Sequence, residues 1–125
     1  MDLFLKRKRH RLIKVLFFLF TIIIFLFSVI LKTGEIKTGL NFADKIAHFF
    51  AYLILAFLGL ISFRKKDNNK IGLVFFTIAL CTVYGGLLEI VQFFIGRSCD
   101  IYDLAANSAG SFTGSFIAYG IISRN

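Results

Sequence analysis

Hydrophobic positions along the chain gather into four long runs separated by short polar segments. The first lies within residues 12–31, after the basic cluster Lys6-Arg7-Lys8-Arg9-His10-Arg11 and Lys14. The second covers about residues 46–63, the third 71–95 and the fourth 102–122. Each approaches the roughly 20 residues that a helix at 1.5 Å rise needs to cross a bilayer. The pattern predicts an all-α, polytopic membrane protein, a four-transmembrane-helix bundle occupying residues 1–125 as one domain. Gly34 and Gly39 interrupt the polar stretch after the first run. A tight basic turn, Arg64 to Lys70, joins the second and third. Ser98 or Asp100 is placed to cap the fourth helix, and Asp103 suits the positive end of its dipole.

Composition agrees and narrows the picture. Apolar residues make up 58% of the chain, Phe numbers 17, and Pro and Trp are absent. A soluble core of this size could not hide that much apolar surface. The first run resembles the start of a signal peptide, but it is long and no A-x-A site follows, so a retained anchor helix is expected. Cys81 in a span and Cys99 in a loop make neither a CxxC motif nor an evident pair. No cofactor is expected.

The net charge of +8 is set beside the apolar runs, where it orients a membrane protein and does not point to nucleic acid. With alternate segments assigned to opposite sides, eleven Lys and Arg fall on the side of the N-terminus, the Arg64–Lys70 turn and the C-terminus. Four (Lys32, Lys37, Lys45 and Arg97) fall on the other. Both termini are therefore expected in the cytoplasm, in a bacterial cytoplasmic membrane, with residues 32–45 and 96–101 facing outward.

That orientation collects the unusual polar residues at one end of the bundle. Asp44 and His48 are four apart on a helix, with Lys45 beside them and Tyr52 one turn deeper. Asp44 can serve simply as a helix cap, or as the carboxylate that fixes an imidazole tautomer. Glu89 lies inside the third run with Gln92 on the same face, and an ionisable residue there costs several kcal/mol unless paired, protonated or wetted. Asp103, Asn107, Gly110 and Gly114 share a face of the fourth helix, polar above and Gly-x-x-x-Gly below, so Asn107 is expected in a helix contact. Arg97 is either an interface anchor or a two-pronged grip for phosphate or carboxylate. The ligand-binding set read from the sequence is Lys45, His48, Glu89, Gln92, Arg97, Asp100, Asp103 and Asn107. If there is catalysis, His48, Asp44, Glu89 and Asp103 carry it by acid–base chemistry. His48, Asp100, Asp103 and Glu89 offer metal-type donors, but zinc-hydrolase spacings and nucleophile signatures are absent and no resident metal is expected.

Three strings, Asp44-Lys45-x-x-His48-Phe49-x-Ala51-Tyr52, Tyr84-Gly85-x-x-x-Glu89-x-x-Gln92 and Arg97-Ser98-x-Asp100-x-x-Asp103-x-x-Ala106-Asn107-x-x-Gly110, resemble the VanZ-like family of small bacterial membrane proteins. The likeness covers about the last two-thirds of the chain; the first helix matches in character only. A Pro frequent before the Gly-Arg step of that family is Ile95 here. The resemblance implies a cell-envelope protein with a link to teicoplanin-type glycopeptide resistance. Some relatives carry a phosphotransbutyrylase label, for which the short soluble segments leave no coenzyme A site. Three readings follow. The leading one is a non-enzymatic protein that binds a lipid-linked cell-wall precursor or glycolipid headgroup, gripped by Lys45 and Arg97. A small membrane hydrolase or transferase is the second. A channel or transporter, which four short helices would form only as an oligomer, is the third.

Overall fold

The computed structural model describes residues 1–30, 42–65, 69–97 and 99–124. Four helices run in sequence: α1 (Asp2–Ile30), α2 (Phe42–Phe63), α3 (Lys70–Phe94) and α4 (Ile101–Ser123). The expected end of the first span at 31, the breaks at Gly34 and Gly39, Lys32, Lys37 and Lys66, and Ser98 as a cap lie outside the described residues.

The helices start and stop where local chemistry directs. α1 begins ten residues before the expected span. Lys and Arg are good helix formers, and neither Gly nor Pro interrupts Lys6 to Lys14. Asn69 caps α3 by accepting from the Ile71 and Gly72 amides at 3.2 and 3.3 Å. Asp100 caps α4 through the Tyr102 amide at 2.8 Å. α3 ends in a Schellman turn: Gly96 has φ +84°, Arg97 N–H donates to Gln92 O at 2.9 Å and Gly96 N–H to Phe93 O at 3.2 Å. That turn sets where Arg97 emerges.

Chain direction alternates. Ser28, near the end of α1, meets Gln92 and Arg97 at the end of α3, while Lys45 at the start of α2 meets Asp100 and Asp103 at the start of α4. At the opposite pole the Lys70 ammonium donates to the Ile122 carbonyl at 3.2 Å, satisfying one of the last-turn acceptors of α4.

α2 and α4 form the most extensive contact. A Cβ added at Gly110 would collide with the Phe49 carbonyl oxygen, and one at Gly114 with that of Leu53. The Gly-x-x-x-Gly face therefore does what its spacing predicts, letting the two backbones touch. α1 packs more loosely on α2 and α3. It buries only Phe17 and Ile24, and the Phe17 ring lies edge-on to Phe63 at 5.3 Å between centroids. The Tyr84 hydroxyl also ties α3 to α1 by donating to Thr21 O at 2.7 Å.

α1, α2 and α3 are long and apolar enough to cross a membrane, and α4 is not. The expectation of four such helices is corrected on this point. Length is not the cause, since α4 has 23 residues and α2 has 22. α4 falls short in composition, because Asp103, Asn107, Ser108, Ser111, Ser115 and three glycines dilute its apolar residues.

Candidate functional site

The site forms at the pole where α1 and α3 end and α2 and α4 begin. Helix dipoles sort its charges. Asp44 lies in the first turn of α2, Asp103 in the first turn of α4, and Asp100 caps α4, all near positive helix ends. Arg97 follows α3 and donates through Nη1 to Ser28 O at 2.9 Å, beside the negative end of α1.

One half of the site is closed. The Lys45 ammonium reaches from α2 to bond Asp100 Oδ2 at 2.5 Å and also Asp103 Oδ1. Its side chain is 17% exposed, and Asp44 Oδ2 stands 3.9 Å away. Hydrogen bonding to this ammonium holds the Asp100 carboxyl below the usual carboxylate range. The second Asp103 oxygen stands 3.7 Å from His48 Nε2, and Asp44 Oδ1 stands 3.9 Å from the same nitrogen. The other ring nitrogen, Nδ1, meets Asn107 Oδ1 at 2.9 Å. An amide oxygen only accepts, so Nδ1 is the donor, and Nε2 faces the two carboxylates. Asn107 is 1% exposed and packs over Gly85, where a Cβ would lie 2.9 Å from its Nδ2.

Glu89 is 3% exposed. Its Oε2 accepts from the Asp100 amide at 3.1 Å, so the carboxyl pins the α3–α4 loop across the end of the bundle. This contact partly offsets the cost of placing a carboxyl inside an apolar helix.

The other half is open. A cleft of about 310 Å³ lies between α1, α2 and α3. Phe20, Ile23, Ile24 and Phe27 of α1 form its apolar wall, and Asp44, His48, Gln92 and Arg97 form its polar end. Gln92 Nε2 donates to Ser28 O at 3.3 Å, sharing that acceptor with Arg97.

The residues read from the sequence thus converge on one pole, in two groups. Lys45, Asp100, Asp103, Asn107 and Glu89 make the closed cluster; Gln92 and Arg97 edge the cleft; Asp44 and His48 touch both. Lys45 is held by Asp100 and Asp103, while Arg97 edges the cleft. The donors that approach one another are Asp44, His48 and Asp103, one atom each within 4.8 Å. Glu89 and Asp100 instead bond each other. Sequence reasoning did not assign α1 to the site. Its four wall residues look like any lipid-facing residues, and the Ser28 contribution is a main-chain oxygen that no side-chain pattern reveals.

The family profile described as VanZ/LLP1 matches residues 3–123. The chain belongs to the VanZ/LLP1 family. The match includes α1, so the VanZ/LLP1 unit takes in the cleft wall as well as the closed cluster. No curated protein and no solved structure matches the chain.

Proposed function

We propose that this VanZ/LLP1 protein is a non-enzymatic, multi-pass protein of the bacterial cytoplasmic membrane that binds the phosphate-bearing headgroup of an envelope lipid. All four helices cross the bilayer in this reading. α4 does so because its polar and small residues turn toward α2, while Phe112, Ile117 and Ile121 remain exposed toward lipid. The excess of Lys and Arg keeps both termini in the cytoplasm and turns the Lys45 pole outward. Lipid-linked cell-wall precursors and phosphate-bearing glycolipids present such headgroups at that face. Occupying them would alter susceptibility to teicoplanin-type glycopeptides, the effect that the family resemblance implies.

The observation that carries the reading is the split lining of the cleft, apolar along α1 and polar at His48, Gln92 and Arg97. An amphiphile matches it, with chains along α1 and a headgroup at Arg97, whose planar fork suits phosphate. The test is native mass spectrometry of protein purified with its membrane lipids. Arg97→Ala is expected to lower the retained lipid about tenfold, a loss of roughly 1.4 kcal/mol, and Asp103→Asn to change it less. Equal retention by wild type and Arg97→Ala would sink the reading.

One observation favours the enzymatic alternative. Asn107 holds the Nδ1 edge of His48, and the ring lines the cleft with two carboxylates near its Nε2, an arrangement suited to acid–base chemistry. Turnover of an envelope lipid that stops in folded His48→Ala protein would replace the binding reading with that one.

A further inference from the structure

The polar end of the cleft carries both signs of charge. Arg97 lies at the α3 edge and Asp44 at the α2 edge, with His48 beside Asp44. Among the described residues Asp44 is the most accessible carboxylate of the pole, its side chain 48% exposed. Among the described residues its ion pairs, to Lys45 and His48, both stand at 3.9 Å, beyond hydrogen-bond reach. Asp103, by contrast, is bonded to Lys45. Among the described residues negative charge prevails on this side of the pole: Asp44, Asp100 and Asp103 stand around one lysine. A phosphate at that edge would meet repulsion, whereas a cationic group would complete the unfilled positions of Asp44.

We propose that the cleft selects a phospholipid with a primary amine in its headgroup, the phosphate at Arg97 and the ammonium at Asp44 and His48. The inference rests on the headgroup reading and specifies its ligand. An ammonium brings three donors, enough to bond both oxygens of Asp44. A headgroup without an amine leaves Asp44 as it stands. A quaternary ammonium has no N–H to donate and is expected to bind as weakly as an amine-free headgroup. The Lys45 ammonium cannot fill this role itself, because Asp100 and Asp103 hold it on the α4 side.

The test uses the full-length protein in detergent micelles and native mass spectrometry with three phospholipids of equal chain length: phosphatidylethanolamine, phosphatidylglycerol and phosphatidylcholine. Wild type is expected to retain phosphatidylethanolamine about tenfold better than either other lipid, the scale of one charge-assisted hydrogen bond. Asp44→Asn should bring the ratio close to one, with phosphatidylglycerol retained at least as well as by wild type. Asp44→Lys should invert it in favour of phosphatidylglycerol, a gain that misfolding cannot produce. Arg97→Gln should weaken all three alike. Equal retention of the three lipids by wild type, or a preference that survives in Asp44→Asn, overturns the amine assignment and leaves the headgroup reading standing. A preference that vanishes after EDTA treatment assigns the position to a divalent ion and also overturns it. If wild type retains none of the three, the headgroup reading falls together with the amine.

Discussion

The seams that α2 makes with α4 and with α1 are built in opposite ways. Against α4, backbone meets backbone: Gly110 and Gly114 lie on the Phe49 and Leu53 carbonyls with no side chain between. Against α1, bulky side chains hold the helices apart, with Phe17 filling the space over Gly59 and a cleft remaining nearer the Lys45 pole. In a bilayer the hydrophobic effect does not drive helices together, and close packing with internal hydrogen bonds does. The α2–α4 seam has both, so it can hold Lys45, His48, Asp103 and Asn107 at fixed distances. The α1 seam has little of either and supplies space. One helix thus carries its fixed chemistry on one side and its accommodating surface on the other.

The comparison is most exposed to glycine substitution. Gly114→Leu sets side-chain atoms on a main-chain oxygen that has nowhere to move. The expected cost exceeds the usual overpacking range of about 1–3 kcal/mol, read as loss of a monodisperse peak in size-exclusion chromatography. Gly59→Ala adds a Cβ 3.0 Å from the Phe17 ring, the end of a side chain that can turn, and should cost less than about 1 kcal/mol. Equal thermal stability of the two variants would break the contrast.

Next in size is Lys45→Met, which leaves Asp103 and Asp100 without their cation. A fully buried pair loses about 3–5 kcal/mol when broken and an exposed one about 0–1. This half-buried one should lose about 2, partly recovered in Lys45→Met/Asp103→Asn. pH sharpens the point. The Asp100 carboxyl is held low by Lys45, so its contribution is present above the ordinary carboxylate pKa of about 4 and is lost as pH falls through the lowered value. Thermal melts of wild type should fall in acid, and those of Lys45→Met should fall less steeply over the same range.

The smallest effect on stability is expected from Ala47→Leu, which pushes a side chain into the cleft and touches neither seam. Its melting free energy should stay within about 0.5 kcal/mol of wild type, while lipid retention drops. A variant that unfolds would mean that the cleft is part of the packing.

Much of this was legible in the sequence, for identifiable reasons. Hydropathy located four helices because each apolar run is long and bounded by charge or glycine. Helical spacing placed Asp103, Asn107, Gly110 and Gly114 on one face, and all four are buried. The fourth run has the length of a span but not its composition, because buried polar residues such as Asn107, Ser111 and Ser115 lower its hydropathy. Pairing across the bundle was out of reach. Lys45 meets Asp103 across 58 positions, and nothing local tells a lysine held by carboxylates from one free to grip a ligand.

The acceptor at Ser28 belongs to the peptide unit, and any residue at that position would present the same oxygen to Gln92 and Arg97. α1 is thus fastened at its tip by an atom that substitution cannot remove. The cleft-wall side chains Phe20, Ile23 and Phe27 can then change among apolar types, and with them the contour of the cleft wall. The chemistry of the pole and the shape of what it admits can then evolve separately, like a lock whose bolt is fixed while its keyway is recut.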